Sequence, residues 1–275
     1  MNSIVITGAS GSMGSEAVKA MVARGFPVIM AVRSPAKAEG IRSRILGEFP
    51  DARIEIRKVD MGSMHSVREF AAGLGGMELA GLFNCAGVIS RSFGISPDGF
   101  ENTLAVNCIG PMLLTKLLLP QIEDGGHIVN MVSLTTKFAH IDRNILMPGV
   151  GKDFHRLRVY GRSKLALLLM SIELADRVSA GEFGAKRIHV NVSDPGIVNS
   201  NMISMGRWFD PLADIFFRPL CKSPEKGAAP AVRALTTDAH GKYFVGDRTA
   251  TIPRRMQEHP LRAWLWGTVW HSVCK

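Results

Sequence analysis

Short apolar runs alternate along this chain with longer stretches whose apolar residues recur at helical spacing. Ile4–Ile6 and Val28–Val32 show no polar alternation, which is the mark of strands covered on both faces. The pattern predicts strands near 3–7, 27–32, 53–58, 79–84, 126–132, 187–192 and 242–245. Helices are predicted near 12–24, 35–48, 63–73, 100–120, 159–179, 200–217 and 224–237. Strands that take turns with helices build βα units and a parallel sheet. The expected fold class is therefore α/β, a doubly wound parallel sheet of about seven strands with helices on both faces. No repeat or low-complexity linker divides the chain, so one domain is expected over 1–250, followed by a tail at 251–275.

Composition narrows the picture. With 275 residues, 46% of them apolar and 21% charged, the chain is long enough for a well-buried core and does not read as disordered. The formal net charge of +9 fits an ordinary basic surface, or a negatively charged partner such as a phosphorylated cofactor or an anionic lipid surface. Nucleic acid is not expected as a partner, because the basic residues are spread along the chain and form no long run. Cys85, Cys108, Cys221 and Cys274 form no CxxC pair; they suit reduced thiols in a cytoplasmic protein, and no metal site is expected. No targeting signal precedes Ile4, and no apolar stretch of about 18 residues predicts a membrane span.

The first strand runs into Thr7-Gly8-Ala9-Ser10-Gly11-Ser12-Met13-Gly14 and then into an amphipathic helix. Glycines at 8, 11 and 14 permit a tight turn and close approach of a pyrophosphate, while the helix N-terminus offers free N–H groups and the positive end of its dipole. This is a Rossmann-like nucleotide loop, although a plain strand–helix turn is the blander reading. NAD sites place an acidic residue after the second strand, to accept from the ribose 2′-hydroxyl. Here Arg33 stands there, with Lys37 one helical turn on. A guanidinium pairs with a 2′-phosphate where a carboxylate would repel it, so the expected cofactor is NADP(H). Asp60, followed by Met61, ends the third strand; the carboxylate could accept from the adenine amino group or could cap the next helix.

The sequence Tyr160-Gly161-Arg162-Ser163-Lys164 opens a predicted helix, and the i,i+4 spacing puts Tyr160 and Lys164 on one face. A free phenol titrates near 10, so service as a base at neutral pH requires a fall of roughly three units, or about 4 kcal/mol. A lysine cation about 4 Å away supplies that much at an effective dielectric of about 20. The expectation is that Lys164 lowers the Tyr160 pKa. A chance pair on a helix surface is the alternative, but only two tyrosines occur in the chain.

Taken together with Asn84-Cys85-Ala86-Gly87, Val106-Asn107-Cys108-Ile109-Gly110, Ile128–Ser133 and Asp194-Pro195-Gly196-Ile197-Val198, these motifs resemble the short-chain dehydrogenase/reductase family over nearly the whole chain. The resemblance implies that Tyr160 exchanges a proton with the substrate oxygen and that Lys164 lowers its pKa and holds the nicotinamide ribose. It also implies that Ser133 polarises the substrate oxygen and that Asn107 anchors a proton-relay water, unless Asn107 only bridges backbone groups. Asn84, Ala86 and Gly87 would lie along the cofactor ribose; Ile197 and Ser200, after the Pro195-Gly196 turn, would meet the carboxamide. The chain departs from the usual pattern in two places. Gly11 precedes Ser12 where the common order is reversed, an arrangement shared with the epimerase-like branch, and Cys85 stands where a second asparagine is usual.

The long interval from Ser133 to Tyr160, with an inserted stretch at 140–158 over the substrate entrance, resembles the retinol dehydrogenase and protochlorophyllide reductase-like branch. So do Asp98-Gly99-Phe100-Glu101, Leu113–Leu119 and Ser223-Pro224-Glu225-Lys226-Gly227-Ala228. That branch implies NADP(H) and a lipophilic carbonyl or alcohol such as a retinoid, steroid or long-chain ketone. The apolar stretch 202–221 is expected to form a lid, or else a core helix. A nucleotide-sugar epimerase or dehydratase and a non-catalytic NADP(H) sensor are the alternatives. The tail holds Trp264, Trp266 and Trp270 with Arg254, Arg255, Arg262 and Lys275; it would either lie peripherally on a membrane or pack on its own domain or on a second subunit. Helices 100–120 and 159–179 are apolar enough for a homodimer face, or for the core of a monomer.

Overall fold

The computed structural model describes residues 1–147, 154–198 and 222–274. The predicted helix at 200–217, the lid, Ser200 and part of the inserted stretch lie outside the described residues. Eight strands form one sheet: β1 (Ser3–Thr7), β2 (Val28–Val32), β3 (Ile54–Lys58), β4 (Leu79–Asn84), β5 (Ile122–Met131), β6 (His189–Asp194), β7 (Lys242–Val245) and β8 (Arg248–Thr251). Their order is β3-β2-β1-β4-β5-β6-β7-β8. All neighbours are parallel except the β7–β8 pair. The order reverses between β1 and β4, and a doubly wound sheet opens a crevice at that switch, beyond the carboxyl ends of its strands.

Both faces of the sheet are covered. On one, Ile4, Ile6, Val28, Met30 and Val32 pack beneath α1 (Ser12–Val22), α2 (Pro35–Glu48) and α7 (Pro224–Ala234). On the other, Val5, Ile29 and Ala31 pack beneath α3 (Met64–Ala72), α5 (Gly110–Leu118) and α6 (Arg156–Ser179). This two-sided burial is why β2 reads as an unbroken apolar run.

The eighth strand was not expected. All four residues of β8 are exposed, so no apolar alternation marks it. Its signal is the turn: Val245 pairs with Arg248 across Gly246-Asp247, and Gly246 has φ +50°, the two-residue loop that hairpins favour.

The expected helix at 100–120 is composite. It starts as α4 (Asn102–Leu104), widens into a π-helical turn over Ala105–Ile109 and continues as α5. The run Asn102–Gln121 is long and apolar enough, by length and composition, to cross a membrane, a pattern not anticipated from the sequence; 78% of it is buried inside the fold, as suits a core helix.

The tail folds back onto α5 and α6. After α8 (Arg254–Gln257), α9 (Arg262–Thr268) and a further π-helical turn (Val269–Val273) bury Leu265, Trp266, Val269 and Trp270. Trp266 and Trp270 stack at 4.3 Å between centroids, and the Arg177 guanidinium lies 5.0 Å over the Trp266 ring. Arg262 bridges Glu173 and Asp176 of α6, each at 2.8 Å, and Lys116 of α5 donates to the Trp270 carbonyl at 2.8 Å. These two tryptophans therefore serve the protein's own core.

Candidate active site

The glycine loop is built by close contact. Gly8 has φ +65°, and a Cβ there would lie 2.7 Å from the Ala86 Cα; a Cβ on Gly14 would lie 2.3 Å from the Gly8 carbonyl oxygen. Neither position accepts a side chain without moving backbone. Gly11 is less constrained, its nearest obstacle being the Gly8 oxygen at 3.2 Å. Thr7 welds the loop to β4, because its Oγ1 accepts from the Cys85 and Ala86 N–H groups, each at 3.0 Å. Gly11 caps α1 with no side-chain bond, so the amides of its first turn remain open to an anion. Ser10, Ser12 and Met13 are half-buried along the same turn. The cradle fits a pyrophosphate.

Arg33 and Lys37 are exposed at the end of β2, and neither makes an ion pair among the described residues. They adjoin the loop through the bond from Gly8 N–H to the Ala31 carbonyl, 2.9 Å. Asp60 is half-buried, and its Oδ1 accepts from Gly62 N–H at 2.9 Å. The helix-cap alternative for Asp60 fails, since Ser63 caps α3 by accepting from Ser66. The Met61 side chain is in the core, so only its backbone can face a cofactor. Ala86 and Gly87 are half-buried beside the glycine loop.

Asn84 corrects an expectation. Its side chain is not at the cofactor surface but in the core, where Nδ2 donates to Thr115 Oγ1 at 2.9 Å and to Asn130 Oδ1 at 2.8 Å. Strand alternation explains this: the residue faces α5, and a buried amide must find partners.

Tyr160 and Lys164 share the inner face of α6. Lys164 is 2% exposed and donates to the Met131 carbonyl at 2.8 Å; burial pulls its pKa down to about 8. The Ser133 hydroxyl lies close enough to the Tyr160 phenol to ease its ionisation, so the two groups expected to meet the substrate oxygen do adjoin. The Tyr160 pKa, however, is raised rather than lowered. Burial is the largest cause; the Ser133 hydroxyl opposes it and the Asp194 charge adds to it. Desolvation of the phenolate decides the direction, and the Lys164 ammonium is engaged with the Met131 carbonyl.

Asn107 sits in the middle of the π-helical turn and is fully buried. Its Oδ1 accepts from Val88 N–H at 2.8 Å, and its Nδ2 donates to the Val88 carbonyl and to Ser163 Oγ, both at 3.0 Å. The side chain thus ties β4's following loop to α6 and has no hydrogen left to donate. A Cβ on Gly87 would lie 3.4 Å from both Asn107 Oδ1 and Lys164 Nζ, so the three residues converge. The Cys85 thiol beside them is pushed up to about 12 by burial and stays neutral.

At the end of β6 Pro195 is buried, Gly196 turns the chain with φ +72° and Ile197 is 61% exposed. The segment after Ser133 forms two 3-10 turns, Leu134–Lys137 and Arg143–Leu146. It lies against α6, with Arg162 reaching Asp142 at 3.3 Å. Phe138, Met147 and Leu157, all on this segment or the first turn of α6, are exposed apolar side chains.

Sequence reasoning missed Asp194 and Tyr243. The Tyr243 hydroxyl donates to the buried Asp194 carboxylate at 2.7 Å; Asp194 opens the 194–198 motif, but nothing in the sequence pairs it with Tyr243.

Known proteins place this site in context. Residues 2–207 match the short chain dehydrogenase family. Human retinol dehydrogenase 13 is 31% identical, covering 96% of this chain and 82% of that protein. Mouse retinol dehydrogenase 12 is 32% identical, covering 96% and 84%. Among solved structures, an uncharacterized protein from Mycobacterium paratuberculosis superposes with TM-score 0.78 at 26% identity, covering 98% of this chain and 92% of that one. A short-chain dehydrogenase from Sphingobium yanoikuyae in complex with NADPH shares the fold with TM-score 0.65 at 16% identity, covering 96% and 91%. The glycine cradle and the Ser133–Tyr160 contact agree with that likeness: the chain belongs to the short-chain dehydrogenase family, in its retinol dehydrogenase-like branch, and is an oxidoreductase.

Proposed function

We propose that the protein interconverts a carbonyl and an alcohol on a lipophilic substrate with NADP(H). The observation that carries the reaction is the Ser133 hydroxyl beside the Tyr160 phenol, with buried Lys164 one turn further along the same helix. Two hydroxyls at one point hold a substrate oxygen, and one of them can give or take its proton. Bound NADP(H) would supply the hydride. Gly8, Gly11 and Gly14, with the first amides of α1, would hold its pyrophosphate; Arg33 and Lys37 would pair with the 2′-phosphate. Asp60, Ala86 and Gly87 would line the adenosine and ribose side, and Pro195, Gly196 and Ile197 the nicotinamide side.

The raised Tyr160 pKa supports the reducing direction. A buried phenol keeps its proton at neutral pH and so stands ready to donate it to a carbonyl oxygen. Lys164, near 8, would replace that proton. The relay water would have to use the Asn107 backbone, since the side-chain amide hydrogens are already engaged with Val88 and Ser163. Apolar Phe138, Met147, Leu157 and Ile197 support a lipophilic substrate, as do relatives named retinol dehydrogenases.

The test is NADPH and NADH oxidation over a panel of retinoid, steroid, long-chain and sugar-like carbonyls, with Tyr160→Phe and Arg33→Asp alongside. Expected are turnover of apolar carbonyls with NADPH, loss of turnover in Tyr160→Phe, and a preference moved toward NADH in Arg33→Asp. An unchanged coenzyme preference in Arg33→Asp would overturn the NADP assignment, and a preference for sugar-like substrates would overturn the lipophilic one. Silence across the panel with NADPH still bound would favour a sensor.

A further inference from the structure

Ser163 at i+3 and Lys164 at i+4 both neighbour Tyr160 along one stripe of α6. Ser163 is 0% exposed. Its hydroxyl donates to the Tyr160 carbonyl at 2.7 Å, a local bond that helix serines often make. Its second bond is not local: Ser163 Oγ accepts from Asn107 Nδ2 at 3.0 Å, across 56 residues of chain. Asn107 in turn grips Val88 at two points, Oδ1 accepting from its N–H at 2.8 Å and Nδ2 donating to its carbonyl at 3.0 Å. Donors and acceptors along this path match one to one. Val88 offers one of each, which fixes which end of the Asn107 amide is oxygen. The two amide hydrogens go to Val88 and Ser163, and the single Ser163 hydrogen goes to Tyr160. The path therefore runs unbroken from the loop after β4 to the backbone of Tyr160. Gly87, the neighbour of Val88, closes the circle, because a Cβ there would stand 3.4 Å from Lys164 Nζ.

We propose that Ser163 is a positioning residue: with Asn107 it pins the first turns of α6, and so Tyr160, to the Gly87-Val88 loop that would carry the cofactor ribose. This role rests on Tyr160 being the proton donor. A second buried serine on the same helix supplies the contrast. Ser171, 2% exposed, donates to the Leu167 carbonyl at 2.6 Å and accepts from Asn130 Nδ2 at 2.9 Å. Its bonds are of the same kind, but they tie α6 to β5, about two helical turns beyond Lys164.

Ser163→Ala and Ser171→Ala remove equivalent bonds and should lower thermal stability alike. Only Ser163→Ala should slow the chemistry. Its kcat for carbonyl reduction should fall about 10- to 100-fold, the scale of a small misplacement of reacting groups, with the NADPH Kd within about threefold of wild type. The isotope effect with C4-deuterated NADPH should grow as hydride transfer becomes rate-limiting; a mere loss of folded protein leaves it unmoved. The losses in Asn107→Ala and Ser163→Ala should combine to less than their product, since both cut one path. Wild-type kcat in Ser163→Ala, or an equal fall in Ser171→Ala, would overturn the proposal. Should Ser163→Ala fail to fold, Ser163→Thr, which keeps the hydroxyl, must keep kcat within about fivefold of wild type; a larger loss overturns the pin. One arm needs no turnover. In protein labelled with carbon-13 at tyrosine Cζ, the chain's two tyrosines give two signals, and Tyr160→Phe identifies one of them. The Tyr160 signal should move or broaden in Ser163→Ala and hold its place in Ser171→Ala; a signal indifferent to Ser163 overturns the pin. If it moves but the wild type reduces no carbonyl, the functional reading fails while the pin stands.

Discussion

Replacing Gly14 by alanine puts a methyl group 2.3 Å from the Gly8 carbonyl oxygen and 2.9 Å from two further backbone atoms, the Gly8 carbonyl carbon and the Ala9 Cα. Every obstacle is backbone, so no side chain can swing aside. Restoring ordinary contact, which begins at 3.4 Å, needs roughly 1 Å of movement between the loop and α1. Overpacking of this kind costs about 1–3 kcal/mol of stability. The functional cost is larger in kind, because the amides that would meet the pyrophosphate move with the loop. Losing one charge-assisted hydrogen bond is worth about 1.5–3 kcal/mol, which converts to a Kd for NADPH raised about 10- to 100-fold. Gly40 supplies the control. It lies inside α2 with nothing within 4 Å of where a Cβ would stand, so Gly40→Ala should stabilise by up to about 1 kcal/mol through helix propensity and leave Kd unchanged. Titration of NADPH fluorescence and thermal melts of both variants give the two numbers. Binding within twofold of wild type by Gly14→Ala would refute the cradle.

Asn84→Ala should cost about 2–3 kcal/mol, because it strands Asn130 and Thr115 in the core, yet leave the NADPH Kd alone; a Kd raised tenfold would return Asn84 to the cofactor surface. His127, stacked on His189 at 5.0 Å, has its pKa lowered to about 4, mainly by burial. Its native form resists a proton that the unfolded form takes up near 6.5, so stability should fall as pH drops from about 6.5 to 4, by about 2 kcal/mol. Urea unfolding at both ends of that window should show a smaller loss in His127→Leu, and an identical loss would exclude this residue as the cause. Ending the chain after Pro253 removes six buried apolar residues, of which Leu265, Trp266, Val269 and Trp270 alone are worth about 6–12 kcal/mol. That is comparable to the stability of a whole domain, so the shortened protein should be insoluble or unfolded by circular dichroism. A soluble protein with wild-type melting would refute the tail's place in the core.

What the sequence made legible were features set by local rules. Buried β2 and the Gly8/Gly14 loop announce themselves because two-sided burial and close backbone approach each demand particular residues. The misses share a different cause. Asn84 looked like a cofactor contact because only the sheet determines which face a strand residue takes. Strand β8 has no buried face to pattern it. The Tyr160 pKa went the opposite way because i,i+4 spacing speaks of one neighbour, while burial and Asp194 come from the rest of the fold. The π-helical turn at Asn107 is likewise set by its partners Val88 and Ser163, which lie 19 and 56 residues away.

The bond between Thr7 and the amides of Cys85 and Ala86 has a kinetic side. Its partners are 78 and 79 residues apart, so the anion cradle cannot exist until the chain has crossed from β1 through β2 and β3 and inserted β4 next to β1. Such non-local pairing is slow. A nucleotide therefore has nothing to hold during the early stages of folding and cannot template them. It can only trap molecules that have already closed the sheet, adding stability in proportion to the logarithm of its concentration above Kd and slowing their reopening.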